Sequence, residues 1–137
     1  MSGLAAILAG RHESGVYLWH AAFDVAEVRH AVEHVGWQFG YVDGWRRSDK
    51  AGVLTAVGEA LAFPDRYRGS LDTLRDGLTD VAEPTVLLWD GWATLAREHE
   101  ETFRQVRGVF AERAALAPPF TVLLRGEGPE IDVPSLD

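Results

Sequence analysis

Residues 63–81 read FPDRYRGSLDTLRDGLTDV, a loop with a helix pattern directly after it. Ser70 suits the N-cap position, because its hydroxyl can accept a hydrogen bond from the first helical turn. Apolar residues then recur at i, i+3, i+7 and i+10, which is the spacing of a helix with one buried face. They are Leu71, Leu74, Leu78 and Val81. The segment therefore predicts an amphipathic helix from Ser70 to about Val81.

Two acidic residues of this segment, Asp72 and Asp76, lie one helical turn apart and opposite the apolar stripe. Like charges at that spacing destabilise a helix by roughly a few tenths of a kcal/mol. Arg75 stands between them and can pair with Asp72 at i,i+3, as on many solvated helices. The pair is therefore either an ordinary hydrated surface or an anionic surface that a basic partner recognises.

Strand and helix patterns alternate on both sides of this segment. Alternating aromatic residues predict a strand over 37–42, and apolar runs predict two more over 85–89 and 120–124. Asp24 and Glu27 form a capping-box pattern at the start of an earlier helix. Such alternation favours parallel strands joined by right-handed crossovers. We expect an α/β fold with a three-stranded parallel sheet covered by helices.

The two ends of the chain have different compositions. Apolar runs at 4–8 and 16–19 flank a polar stretch and predict a strand hairpin, which with the helix capped by Asp24 forms an N-terminal unit of residues 1–36. Residues 126–137 contain four acids, no base, two prolines and two glycines. Such a composition disfavours regular structure, so residues 127–137 are predicted to be a flexible acidic tail.

Composition limits the function. The chain has 137 residues, 47% of them hydrophobic, which suits one domain with one core. The formal net charge of −8 argues against binding a nucleic-acid backbone and favours a basic protein partner. Cysteine is absent, which suits a reducing compartment, and the apolar run 4–9 is too short to span a membrane. We expect a cytoplasmic protein without membrane association.

The motifs of common cofactor chemistry are missing from the sequence. The Gly-x-Gly at 126–128 lies in the acidic tail with no helix after it, and no Gly-x-Ser-x-Gly elbow occurs. His30 and His34 lie one turn apart but lack the Glu of a His-Glu-x-x-His site, and a third metal ligand would have to come from Glu27 or from a distant part of the chain. We therefore expect no catalytic activity, cofactor or metal.

A carboxylate-based hydrolase is the enzymatic alternative. Asp72 and Asp76, joined by Glu112, could act as acid and base or hold Mg²⁺. Acid–base catalysis needs carboxyl groups whose surroundings push their pKa values apart, usually through burial. Asp72 and Asp76 lie opposite an apolar stripe in similar exposed settings. This arrangement suits docking better than catalysis.

The loop and helix resemble the barstar family, small intracellular inhibitors of microbial ribonucleases. The residues that match the family's loop and helix are Phe63, Pro64, Asp65, Tyr67, Leu71, Asp72, Leu74, Asp76 and Leu78. The resemblance extends over 37–126, which we take as a barstar-like domain with the N-terminal unit as an addition. Glu112, in the sequence Val-Phe-Ala-Glu, falls where the family carries a third inhibitory acid.

The resemblance implies that the acidic helix blocks the active site of a ribonuclease, with carboxylates in place of RNA phosphates. It assigns Asp76 as the central anchor, and Glu112 as an acid that reaches in from a later helix. The residues implied around Asp76 are Asp72, Tyr67, Thr79 and Leu71. The implied partner is a basic protein, a microbial ribonuclease or a ribonuclease-like toxin.

Three arginines depart from the family pattern around this helix. They are Arg66, Arg68 and Arg75, and each lowers the negative potential of the acid pair. A strongly basic ribonuclease would be repelled unless it carried compensating acids. A family member whose surface binds a different protein partner is therefore a second hypothesis.

Overall fold

Five parallel strands form one sheet in the described part of the chain, which comprises residues 2–64, 67 and 69–136 of a computed structural model. In chain order the elements are α1 (Ser2–Leu8), β1 (Val16–Trp19), α2 (Val25–His34), β2 (Gln38–Asp43), α3 (Lys50–Ala60), α4 (Leu71–Thr79), β3 (Thr85–Asp90), α5 (Ala93–Glu98), α6 (Glu100–Ala114), β4 (Phe120–Arg125) and β5 (Ser135–Leu136). The strand order is β2-β3-β4-β1-β5, with every neighbouring pair parallel.

Helices cover both faces of the sheet. Side chains of α3, α4, α5 and α6 form one buried cluster with one face of the strands, including Val57, Leu74 and Phe110. Side chains of α1 and α2, such as Leu4 and Val28, form a second cluster with the other face. Every residue of β3 is buried, because this central strand lies between the two helical layers. The predicted α/β architecture is therefore confirmed.

The N-terminal strand hairpin predicted from the sequence is wrong. Residues 4–8 belong to the helix α1, while β1 pairs with β4 in parallel, Val16 opposite Val122. A short apolar run cannot be assigned to helix or strand by periodicity alone. Alanine and leucine favour helix, and the i,i+3 pair Leu4 and Ile7 is almost fully buried, with 0% and 2% exposed. Leu4 and Ile7 are buried because α1 packs against one face of the sheet.

The predicted number of strands is also too small. The three expected strands are present as β2, β3 and β4, and the sheet continues through β1 and β5. β5 lies within the expected acidic tail, where Leu136 pairs with Trp19 and is only 1% exposed. The carbonyl of Pro134 accepts a hydrogen bond from the Leu18 amide at 2.9 Å. Proline fits beside an edge strand because its missing N–H is not needed there.

Within the described residues, no helix has the length and apolar character needed to cross a membrane.

The helix that carries the acid pair forms as expected, with Ser70 as its N-cap. Asp65, Arg66 and Arg68, which the sequence analysis assigned to the loop before this helix, lie outside the described residues.

Candidate functional site

The loop before α4 rests on two helical glycines. The ring of Phe63 lies over Gly77 of α4, where a Cβ would come within 2.6 Å of it. The ring of Tyr67 lies over Gly58 of α3, where a Cβ would come within 2.4 Å. The two rings also meet edge to face, with centroids 5.0 Å apart. Glycine at 58 and 77 thus lets the loop pack closely on both helices.

The start of α4 is fixed by a reciprocal cap. The Ser70 hydroxyl accepts from the Thr73 amide at 3.1 Å, and the Ser70 amide donates to the Thr73 hydroxyl at 3.0 Å. Leu74 and Leu78 face the core, with 0% and 1% exposed. Asp72 lies in the first turn, where a negative charge interacts favourably with the helix dipole.

Arg75 connects the acids of two helices. Its Nε donates to Oε2 of Glu112 on α6 at 3.2 Å, and its Nη1 lies 3.8 Å from Oδ1 of Asp72. The Asp72 side chain is 96% exposed and that of Glu112 is 64% exposed. We call the group of Asp72, Arg75, Asp76 and Glu112 the α4–α6 surface. Glu112 of α6 thus lies beside Arg75 and Asp72 of α4. Its role in binding a partner remains a prediction.

Arg113, the residue after Glu112, holds α4 and α6 together. Its side chain is buried, and its guanidinium donates to the carbonyl oxygens of Leu78 at 2.8 Å and Val81 at 3.3 Å, at the end of α4. It also donates to Leu116 and Pro118, each at 2.9 Å. Burial lowers the pKa of the Arg113 guanidinium from its ordinary value. The α4–α6 surface therefore has a rigid base that the sequence analysis did not identify.

Asp76 borders a small cleft of about 60 Å³. The cleft is lined by Phe63, Pro64, Tyr67, Thr73, Asp76, Gly77 and Asp80. Within the described residues, the exposed Asp76 carboxylate has no hydrogen bond or ion pair. Phe63, Thr73 and Asp80 had not been proposed as site residues, although Thr73 and Asp80 follow from the same helical face by their i−3 and i+4 spacing to Asp76.

The other proposed contact residues have structural roles as well. The Tyr67 hydroxyl donates to the carbonyl of Leu54 in α3, and burial raises the pKa of Tyr67 to about 12. Leu71 is half-buried and packs against the core. The Thr79 hydroxyl donates to the carbonyl of Arg75 at 2.9 Å, and Thr79 is exposed on α4. Tyr67 thus holds the loop against α3, and only the exposed part of its side chain is free to contact a partner.

A second, larger cavity lies at the carboxyl ends of β1 and β4, with a volume of about 860 Å³. Its charged lining residues are Arg97, Arg125, Glu127 and Glu130. Arg125 forms a bidentate pair with buried Asp90 at 2.7 and 3.0 Å. Nη1 of Arg125 donates to the carbonyls of Ala21 and Phe23. Tyr41 adds a hydrogen bond to Asp90 at 2.9 Å. The sequence analysis gave no signal for this cluster.

The chemistry of this second cavity does not match a phosphate site. Arg125 is already engaged by a carboxylate and two carbonyls. The loop after β1, residues 20–24, has no glycine, and the Asp24 amide at the start of α2 is taken by Oε1 of Glu27 at 3.1 Å. Phosphate binding at a helix start needs free amides and close backbone approach. The described residues also hold no group of three potential metal ligands.

The architecture and the α4–α6 surface define a class: a small α/β protein that presents a charged pair of helices over a parallel sheet. A sequence model of the barstar family, described as Barstar (barnase inhibitor), matches residues 37–125. This match covers well over half of the chain, and the chain belongs to the barstar family. No curated protein matches it.

The solved structures to which this chain is similar include one protein of Aeropyrum pernix and one of Pyrobaculum aerophilum. The ORC2 protein of Aeropyrum pernix, solved as ADPNP–ADP complexes, has a TM-score of 0.64 and 17% identity over 93% of this chain and 39% of its own. Cdc6p of Pyrobaculum aerophilum has a TM-score of 0.62 and 17% identity over 90% of this chain and 37% of its own. The chain thus spans about two fifths of their length. At this identity the likeness concerns the fold, and it includes the N-terminal residues that the family model leaves out.

Proposed function

We propose that this protein is an intracellular inhibitor of a ribonuclease or a ribonuclease-like toxin, and that it docks through the α4–α6 surface. The observation that carries the proposal is the position of Asp76. Its carboxylate is exposed beside a cleft, on a helix that belongs to the family match. An exposed acid that has no partner among the described residues and is held on a helix is well placed to enter a basic active site.

The proposed mechanism is occlusion. Carboxylates of α4 take the place of substrate phosphates and face the catalytic cations of the enzyme. The charge of −8 accelerates the encounter with a basic partner, while desolvated hydrogen bonds at Asp76 slow dissociation. Asp72, Tyr67 and Thr79 flank the anchor, Leu71 lies at the edge, and Glu112 lies nearer the rim of this contact.

A second candidate is an interaction module with a different protein partner. It is favoured by Arg75, whose guanidinium already neutralises part of the surface through Glu112 and Asp72. A hydrolase is a weaker candidate, because the Asp72 carboxylate is almost fully hydrated, with 96% of the side chain exposed. We propose that the chain is not an enzyme.

The test of the inhibitor proposal is binding to a panel of small basic microbial ribonucleases, each measured with native protein and with Asp76→Asn. We expect native protein to bind at least one of them and to inhibit RNA cleavage. Asp76→Asn should raise the dissociation rate at least about tenfold and leave the association rate within about threefold.

The matched control is Asp132→Asn, which removes the same charge from an exposed residue outside the family match. It should leave both rates unchanged at physiological salt. Tight binding whose dissociation rate is unchanged by Asp76→Asn would refute docking through α4. If no ribonuclease binds, the second candidate takes precedence. Metal-dependent hydrolysis by purified protein that is abolished by Asp72→Asn would move the chain to the enzyme class.

A further inference from the structure

Arg75 lies at the centre of the α4–α6 surface with most of its hydrogen-bonding capacity unused. Its Nε donates to Glu112 at 3.2 Å. Its Nη1 is 3.8 Å from Asp72, which is an ion pair but too long for a hydrogen bond. Within the described residues, Nη2 has no partner. The side chain is 50% exposed, so water satisfies the remaining N–H groups in the free protein.

Docking through this surface would remove that water. A guanidinium carries donors on all three of its nitrogens and cannot lose its charge in a protein. Burying these donors without acceptors is strongly unfavourable. Glu112 accepts one hydrogen bond from Arg75 and Asp72 forms only a longer ion pair with it, and in the proposed complex the remaining acceptor sites of both carboxylates face the partner's cations. The acceptors must therefore come from the partner.

We infer, resting on the proposed function, that Arg75 is a specificity-determining residue that selects a partner with a carboxylate facing it. The cognate enzyme then presents an alternating pattern: a cation toward Asp76 and an aspartate or glutamate toward Arg75. An active site lined by cations alone is rejected, since it leaves Arg75 desolvated and facing like charge. Arginine suits this role because its planar fork binds a carboxylate in a bidentate manner.

The experiment compares native protein with Arg75→Gln and Arg75→Glu on a panel of inactivated basic microbial ribonucleases of known structure. The panel is divided by whether an aspartate or glutamate lies at the rim of the active site. The matched control is Arg29→Gln. Arg29 forms an i,i+4 pair with Glu33 at 3.7 Å and is 47% exposed, and its helix α2 covers the opposite face of the sheet.

With ribonucleases that carry a rim carboxylate, we expect Arg75→Gln to raise the Kd at least about tenfold and Arg75→Glu to raise it further. With ribonucleases that lack one, Arg75→Glu should lower the Kd at least about tenfold. Arg29→Gln should change neither group by more than about twofold. Exchanging the rim carboxylate for lysine should restore binding to Arg75→Glu in a double-mutant cycle.

The failures are distinguishable. If Asp76→Asn weakens binding while Arg75→Gln leaves it unchanged or tightens it in both groups, the inference about Arg75 is wrong and the inhibitor proposal stands. If neither Asp76 nor Arg75 affects binding, or if no variant binds any ribonuclease, the inhibitor proposal fails and the inference fails with it.

Discussion

The guanidinium of Arg113 donates to the carbonyl oxygen of Leu78 at 2.8 Å, across the interface between α6 and α4. No carboxylate neutralises Arg113 within the described residues; four carbonyl oxygens surround it instead. The Leu78 carbonyl lies in the last turn of α4, where the helix dipole is negative, and the Val81 carbonyl follows directly after the C-cap Asp80. One side chain thus fixes the end of the acidic helix relative to the helix that carries Glu112.

Replacing Arg113 with methionine should lower the free energy of unfolding by about 2–4 kcal/mol. The substitution keeps the volume but leaves buried carbonyls without donors. Urea unfolding followed by circular dichroism measures the change. Arg104→Met is the control, since Arg104 is 56% exposed and, in the part of the chain that the structure describes, its ion pairs are with Glu100 and Glu101 on its own helix. It should shift stability by less than about 0.5 kcal/mol. Equal effects of the two variants would contradict the role given to Arg113.

Gly77 and Gly108 provide a matched pair of helix glycines. Both lie inside helices, where alanine is favoured over glycine by about 1 kcal/mol. A Cβ at Gly108 meets nothing within 4 Å, whereas at Gly77 it comes within 2.6 Å of the Phe63 ring. Gly108→Ala should therefore stabilise the protein by about 0.5–1 kcal/mol.

Gly77→Ala should displace the ring of Phe63, and the cost of that displacement should offset the higher helix propensity of alanine. We therefore expect the Gly77→Ala protein to be no more stable than the native chain. Thermal unfolding of both variants measures the difference, and near-ultraviolet circular dichroism reports on the packing of Phe63 and Tyr67. A similar stabilisation by both substitutions would show that the loop is not held against α4.

Much of the fold follows from local sequence patterns. The apolar spacing from Leu71 to Leu78 and the cap at Ser70 predicted α4, and the uniform apolar run 85–89 predicted a strand with both faces buried. The N-terminal strand β1 could not be placed, because a four-residue run does not specify its neighbours. Its partner β4 lies more than a hundred residues away, and that pairing is decided by packing of the whole sheet.

Local sequence patterns also predicted part of the candidate site. Helical spacing places Asp72 and Asp76 on one exposed face, but it does not say which later residue meets Arg75. The contact with Glu112 depends on how α6 packs against α4, and buried Arg113 decides that packing. Helical spacing places Arg113 on the apolar stripe of Phe103, Val106 and Phe110, at i+10 from Phe103. A charged residue on such a stripe is normally read as exposed, because arginine is almost never fully buried unless it is paired.

Residues 37–125, the part matched by the family, should not form a stable unit alone. The face of the sheet that carries Phe39, Val86, Leu88 and Leu123 packs against α1 and α2. A 37–125 fragment lacks α1 and α2 and also β1 and β5, so it exposes a contiguous apolar surface and an unpaired edge of β4. Both changes favour association or partial unfolding. We expect the truncated chain to bind a hydrophobic dye and to unfold without a cooperative transition.

The contribution of α1 to stability can also be measured in the full chain. Leu4 is fully buried in this second cluster, so Leu4→Ala should destabilise the protein by about 2–4 kcal/mol. Leu116→Ala is the control, because Leu116 is 60% exposed. A cooperatively folding 37–125 fragment together with a neutral Leu4→Ala would show that the N-terminal residues are dispensable for the core.

Tyr67 predicts a dependence of stability on alkaline pH. Burial raises the pKa of Tyr67 in the folded protein from its ordinary value of about 10 to about 12. Because the folded pKa is the higher one, the contribution of neutral Tyr67 is complete below about pH 10 and is lost as the pH rises toward about 12. Tyr67→Phe removes this contribution and the hydrogen bond to the Leu54 carbonyl, so it should be the less stable protein at pH 9.

As the pH rises from about 10 to about 12, native protein should lose stability faster than Tyr67→Phe, and the difference between them should narrow. Tyr17 and Tyr41, whose pKa values are also raised, titrate equally in both proteins. Urea unfolding at several pH values measures the difference, and phenolate absorbance follows the titration. Leu71→Ala, which removes no titrating group, should keep a constant difference from native protein. A difference for Tyr67→Phe that is equally constant would mean that water reaches the Tyr67 hydroxyl, and that the loop does not seal over α3.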